Sequence, residues 1–509
     1  TFNNTADLTF SGSVQTATYL SAARTIRALI FDANADTSFS ISLSRNAGGG
    51  GVARNLTMGG GLAPYITIDA GASADHAITL GSGNLVLAGN LTITHNGPAN
   101  FTIARPITGT YNLTKVGSGM LTLSGANTFG AARTFTLSNG TVNVNSTAAL
   151  GAGTCAFKID GGTLDNTSGG AITLANNQPV NIAGDFAFTG TSDLNLGTGA
   201  ITLNGTAGAR SITVNAGTLT LGGVVGDGTA TALTKLGSGT LQLGGACTYS
   251  GTTTVEVGTL QLGAADRIPD GAAKGNVSVS GVLDLNTFSE TINGLSGTGV
   301  VDTLSGGSPM LTVGNNNQSS VFSGRIRNTA GTLGLTKVGT GTLTLSGSNT
   351  YGGSTLITNG TLTLNGSLGN GPVVVTNAGI LAGTGIVAGA IFVYPGSTLA
   401  PGSNAVGTLT VTNGLTLTGG TFKVDVVSTN AGGHGQVRVT GGNVTITNAP
   451  LVINGSGYTT NDNDRLWIIN QTGGGTVVGT FAGLPEGGVT NFAARNFKIY
   501  YQADYATGS

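Results

Sequence analysis

Apolar and polar residues alternate along most of the chain. Tyr65-Ile66-Thr67-Ile68, Asn84-Leu85-Val86-Leu87, Ser211-Ile212-Thr213-Val214 and Val277-Ser278-Val279-Ser280 each place Val, Ile or Leu at every second position. Thr, Ser and Asn fill most of the positions between. A period of two is that of a strand with one face buried. Gly and Asn turns bound these phrases, and few stretches show the three-and-four spacing of a helix. The expected class is all-β. The longest weakly polar run, Gly379 to Tyr394, is shorter than the ~18 residues of a membrane span and reads as short strands.

One phrase recurs. Leu335-Thr336-Lys337-Val338-Gly339-Thr340-Gly341-Thr342-Leu343-Thr344-Leu345 leads to Asn349 and Tyr351, and similar stretches run from Leu113 and Leu233. Lys115, Lys235 and Lys337 align, as do Phe129, Tyr249 and Tyr351, each aromatic 14 positions after its lysine. A Thr-Leu-x-Leu phrase follows twice per unit, 19 positions apart in the later copies (Leu343 to Leu362, Leu241 to Leu260). In the first copy, Leu121 to Val142 is 21. A strand phrase returning every ~20 residues is the spacing of one β-solenoid coil, and ~4.8 Å of rise per coil predicts a rod of roughly 100–120 Å.

The rhythm predicts four regions. Residues 1–110 read as an N-terminal cap with irregular coils, and 111–366 as β-helix with the three repeat copies. Residues 367–415 read as short coils, and 416–509 as a C-terminal β cap that contains Trp467.

Composition sharpens the picture. Charged residues make up 8% of the 509, and Gly accounts for 89. Gly without a three-residue period excludes collagen. A net charge of −1 with no basic stripe excludes an electrostatic nucleic-acid binder. The chain begins at Thr1 with no signal peptide, so the expectation is an exported, processed form. Cys155 and Cys247 lie 92 positions apart, roughly 20 Å along a solenoid, beyond the ~7 Å a disulfide tolerates. Two thiols acting as small buried apolar groups are expected.

Candidate chemistry is sparse. Asp462 and Asp464 form the one close carboxylate pair with turn character, and a polar turn is the favoured reading. His76, His95 and His434 lack the partners of a triad. Gly-x-Gly phrases precede strands, so they do not signal a dinucleotide site. The aligned lysines read as solvated residues before turns, with acidic glycans as the alternative ligand. The aligned aromatics read as corner-filling core, with sugar stacking as the alternative. Asn127 and Asn349 are expected to bond the turn backbone, and Cys247 replaces them in the middle copy. No cofactor and no metal are implied.

Leu-Thr-Lys-x-Gly-x-Gly-x-Leu-x-Leu-x-Gly-x-Asn-x-Tyr, then Gly-Gly-x-Thr and Gly-Thr-Leu-x-Leu, resembles the autotransporter-associated β-strand repeat, also called the passenger-associated transport repeat. Two tail phrases, from Gly402 to Leu409 and from Gly479 to Gly487, are similar to those of large secreted proteins of this type. The resemblance implies a right-handed parallel β-helix exported to the cell surface. No membrane barrel follows before Ser509, so self-transport is not expected. The leading expectation is a secreted, non-enzymatic structural protein, a surface fibre or matrix component that polymerises head to tail with itself, for example through Thr1 to Thr9. A glycan-binding adhesin comes second, and a polysaccharide lyase or hydrolase third.

Overall fold

The computed structural model describes residues 6–12, 17–19, 22–43, 54–59, 61–229, 231–402, 406–430, 433–455, 458–459, 464–492 and 495–501. Thr1 to Thr5, the glycines 48–51, Ser403 to Ala405 and Asn461 to Asn463 lie outside them, and with them parts of the expected assembly segment, of the tail phrase and of the carboxylate pair. Among the described residues there is no α-helix. The strands pair in parallel, apart from one C-terminal hairpin, Val489–Phe492 with Arg495–Lys498, and isolated bridges such as Val426 with His434. The fold is a parallel β-helix.

The chain divides into two compact units: Thr1–Thr252 with Glu256–Gly263, and Thr253–Val255 with Ala264–Ser509. In the first, each coil supplies strands to successive sheets. One sheet stacks Leu91–His95, Leu113–Val116, Thr134–Leu137 and Ala156–Ile159; the next stacks Asn100–Ile103, Met120–Leu123 and Thr141–Val144. A third stacks Leu194–Asn195, Thr218–Leu221, Thr240–Leu243 and Thr259–Leu262. In the second unit, Gly334–Lys337 pairs with the start of Thr355–Leu364, a long strand that bends through a corner with a register shift between Ile357 and Asn359.

Register sets the coil length. Leu91 faces Leu113 and Leu113 faces Phe135, two coils of equal length. The coil from Val373 to its partner Ile391 is shorter, and the one from Val444 to Val477 is much longer. Coil length therefore varies along the chain: strands keep their stacking while turns absorb insertions. The long C-terminal coils remain in the same parallel sheets as far as Val477–Phe481.

Inward positions are Val, Leu, Ile and Phe at or near zero exposure. Like residues stack across coils, as Phe135 and Phe157 do, in register with ring centroids 5.4 Å apart. Asn and Asp in the turns have a second role. In the turns that lead into the strands, a side-chain oxygen accepts an amide of the next coil. Asn90 takes Asn112 N at 3.1 Å, Asn112 takes Thr134 N at 3.0 Å, Asp185 takes Ser211 N at 2.9 Å and Asn317 takes Thr340 N at 2.9 Å. The coil-to-coil ladder thus continues through the corners, and these amides stay paired within the protein.

Three glycines fix the repeat corner. Gly140, Gly258 and Gly360 have φ of +74°, +68° and +63°. Each sits on the Gly-x-Gly turn of the coil before, so a Cβ would overlap the oxygens of Gly117 and Gly119, of Gly237 and Gly239, or of Gly339 and Gly341. Gly360→Ala is expected to cost more than about 2 kcal/mol in chemical denaturation, combining left-handed strain with overlap. Gly170, with open space around it and no positive φ, tolerates alanine within about 0.5 kcal/mol.

Candidate functional site: the repeated corner

The repeat lysines are not solvated. Lys115 and Lys235 are fully buried and Lys337 is 1% exposed. The alternation explains this, because in Leu-Thr-Lys the lysine shares the inward face of the leucine two positions before it. Lys115 stacks between Ile93 and Leu137, and Lys337 between Val313 and Ile357. Each stem lies in the apolar ladder and each ammonium reaches the corner. Both the exposed reading and the glycan-contacting reading of these lysines are therefore overturned.

The ammonium meets three backbone carbonyls. Lys115 Nζ donates to Val116 O at 2.9 Å, Gly117 O at 2.8 Å and Asn139 O at 3.3 Å. Lys235 Nζ donates to Leu236 O at 2.9 Å, Gly237 O at 2.7 Å and Val257 O at 3.2 Å. Lys337 Nζ donates to Val338 O, to Gly339 O at 2.9 Å and to Asn359 O at 3.3 Å. Two carbonyls belong to the lysine's own turn and the third to the coil after it. An ammonium has three donors, so donors and acceptors match in number. Burial pulls all three ammonium groups down to about 8; the carbonyls favour the charged form, which alone offers three N–H groups.

The same corner is used on different faces of the first unit. Copy one turns from the sheet of Leu113–Val116 to that of Met120–Leu123. Copy two turns from this second sheet, through Ala232–Leu236, to the third, through Thr240–Leu243. The repeat therefore encodes a corner, not a fixed face.

The aromatics close the next corner. Phe129 and Tyr249 are fully buried and Tyr351 is 1% exposed, so none presents a sugar platform. Phe129 packs edge-on against Phe135, and the Tyr351 hydroxyl meets Thr355 Oγ1 at 2.6 Å. The buried asparagines clamp three coils. Asn127 Oδ1 accepts Ile107 N at 2.8 Å while its Nδ2 donates to Ala149 O at 2.6 Å. Asn349 Oδ1 accepts Ile326 N at 2.9 Å while its Nδ2 donates to Ser367 O at 3.0 Å. In the middle copy Val225 N goes instead to the Ala246 carbonyl at 3.1 Å, next to Cys247. Cys155 and Cys247 are buried and form no disulfide; burial pushes the Cys155 thiol up to about 11.

The acids are bound into turns as well. Asp284 and Asp302, direct neighbours in register, are fully buried. Asp284 accepts Asn286 N and Leu304 N; Asp302 accepts Thr303 N, Thr329 N, the Thr329 hydroxyl and Arg327 Nε. Glu290 accepts Arg267 N at 2.9 Å and Ile268 N at 2.7 Å, and burial raises it to about 8 against those bonds. Asp464 takes the Tyr458 hydroxyl. His76 stacks on Phe31 with ring centroids 4.3 Å apart, and His434 Nε2 lies 3.4 Å from Trp467 O. A shallow groove beside the third copy, lined by Thr350, Gly352, Ser367, Asn370, Ile386 and Ala388, offers no carboxylate pair. Among the described residues no group of three or more His, Cys, Asp or Glu could hold a metal ion, and no helix is long and apolar enough to cross a membrane.

This geometry recurs where the sequence is recognised. Residues 113–144, 233–262 and 335–364 match the passenger-associated-transport-repeat, so the chain is a β-helix carrying three such repeats. The chain is also similar to the Adhesin BmaC autotransporter of Brucella suis biovar 1 (strain 1330), at 33% identity over 278 residues. That match covers 53% of this chain and 7% of the relative's length.

Replacing Lys337 with methionine keeps the stem and removes the donors. With three part-buried carbonyls left without the ammonium, a loss of roughly 2–3 kcal/mol is expected in denaturant titration; a solvated lysine would change stability by no more than about 0.5 kcal/mol. A second expectation concerns acid. His95 is buried, its Nδ1 is 2.8 Å from Met120 O, and burial followed by the Lys115 charge depresses it to about 4. The unfolded chain binds the proton first, so stability is full above the usual histidine value of ~6.5 and falls as pH drops toward 4. His95→Gln is expected to flatten this slope by one proton, about 1.4 kcal/mol per pH unit, in denaturation measured at stepped pH.

Proposed function

We propose that this chain is a segment of a secreted, surface-displayed passenger whose β-helix acts as a non-enzymatic adhesive stalk. It works outside the cell or at the cell surface. The observation that carries the reading is the repeated corner: its lysines, asparagines and aromatics are consumed in joining one coil to the next. What remains outside is largely Thr, Ser and Asn with little charge, and scattered apolar residues such as Val224 and Val427. Such a surface hydrogen-bonds to hydroxyl-rich partners and has little charge repulsion to keep copies apart. The related Brucella protein is described as an adhesin, which favours adhesion over catalysis. Head-to-tail association of copies into a fibre is the finer form of the proposal, with main-chain pairing at exposed strand edges as its chemistry.

Three measurements on the purified chain test it. Saturable binding to immobilised extracellular glycans is expected, unaffected by Phe or Tyr changes that preserve folding at the buried aromatics. A broad polysaccharide panel is expected to release no products; steady product release would overturn the non-enzymatic reading. Negative-stain images across a concentration series are expected to show lengthening filaments, and discrete particles at every concentration would remove the fibre.

A further inference from the structure

The corner that cages the lysine also holds a reactive dipeptide in two of its three copies. Asn139-Gly140 and Asn359-Gly360 stand where the middle copy has Val257-Gly258. In both, the glycine N–H donates to the side-chain oxygen of the asparagine before it, Gly140 N to Asn139 Oδ1 at 2.7 Å and Gly360 N to Asn359 Oδ1 at 2.8 Å. This bond brings the glycine nitrogen against the side-chain amide of its neighbour. The same peptide units carry the third lysine contact, since Asn139 O accepts Lys115 Nζ and Asn359 O accepts Lys337 Nζ, each at 3.3 Å. A cation on a peptide oxygen draws charge from the attached nitrogen and acidifies its N–H. Asn139 is exposed and Asn359 half-buried, so water reaches both.

We propose that Asn139 and Asn359 are self-modification sites, converted to aspartyl and isoaspartyl residues by the caged lysine beside them. The glycine nitrogen loses its proton and bonds to the asparagine Cγ. The Cγ–Nδ2 bond breaks, and the amide nitrogen leaves as ammonia with that proton. Water then opens the five-membered succinimide at either carbonyl, giving aspartate or isoaspartate. Proximity places nitrogen and carbon for attack, and the ammonium supplies the electrostatic assistance. The product puts an anion in a turn whose ammonium has only carbonyls as its bonded partners.

The chain holds its own comparators. Asn365-Gly366 and Asn370-Gly371 have exposed asparagines outside the lysine cages. Gly366 N donates to Leu345 O at 3.0 Å rather than to its own asparagine. Val257 is half-exposed, so an asparagine there is tolerated by the fold while placing Asn-Gly beside the Lys235 ammonium.

The test is peptide mapping by mass spectrometry of the native chain and of Val257→Asn, aged at neutral pH and 37 °C, with circular dichroism confirming the fold. Positions 139 and 359 are expected to gain one mass unit about tenfold faster than Asn365 and Asn370, the factor for one pKa unit of N–H acidification. Position 257 of V257N is expected to join the fast set. Denaturant-unfolded chain is expected to lose the difference between sites. Equal rates at caged and uncaged sites in the native chain, or a slow position 257 in folded V257N, would overturn the proposal.

Discussion

The structure depends on what happens to backbone carbonyls at a tight corner. Where a coil turns through Gly-x-Gly, peptide oxygens point inward, away from the ladder that satisfies them along the strands. Buried and unbonded, each would cost on the order of 1–3 kcal/mol. The repeat meets this demand with one side chain. A lysine on the inward face threads its stem up the apolar stack and ends in three donors for three acceptors. Because one acceptor belongs to the following coil, the same contact that satisfies the turn fastens the next turn above it.

The rest of the repeat follows from that contact. Gly140, Gly258 and Gly360 are glycines because the following coil must approach the caged carbonyls without a Cβ. Asn127 and Asn349 repeat the device one corner later, with an amide in place of an ammonium. Cys247 shows the device is replaceable, since Ala246 supplies a carbonyl where the asparagine oxygen is lacking. Motifs that look like binding apparatus in a list of residues are joinery in three dimensions, and this is why the functional reading falls on the surface and not on the repeat.

Much of this was legible in the chain. Period-two alternation, Gly and Asn turns and a recurring Thr-Leu-x-Leu phrase specify stacked parallel strands, because each pattern has one simple packing solution. The burial of Lys115, Lys235 and Lys337 was also written there, in their even spacing from Leu113, Leu233 and Leu335. The usual solvation of lysine outweighed that signal, and only the three-carbonyl cage shows why burial is tolerable. Coil length was less legible. The long coils from Leu415 to Val444 and from Val444 to Val477 come from loops that leave the strand pattern intact. The in-register Asp284 and Asp302 could not be read at all, since their adjacency exists only once their two short coils are stacked.

The most direct measurement is the reactivity of the lysines toward an amine-acylating reagent in the native chain, read by mass spectrometry. If the cages exist, Lys115, Lys235 and Lys337 stay unmodified while the half-exposed Lys158 and Lys423 and the exposed Lys498 are acylated. Labelling of the three repeat lysines at the same rate as the exposed ones, with the β spectrum intact, would contradict the account.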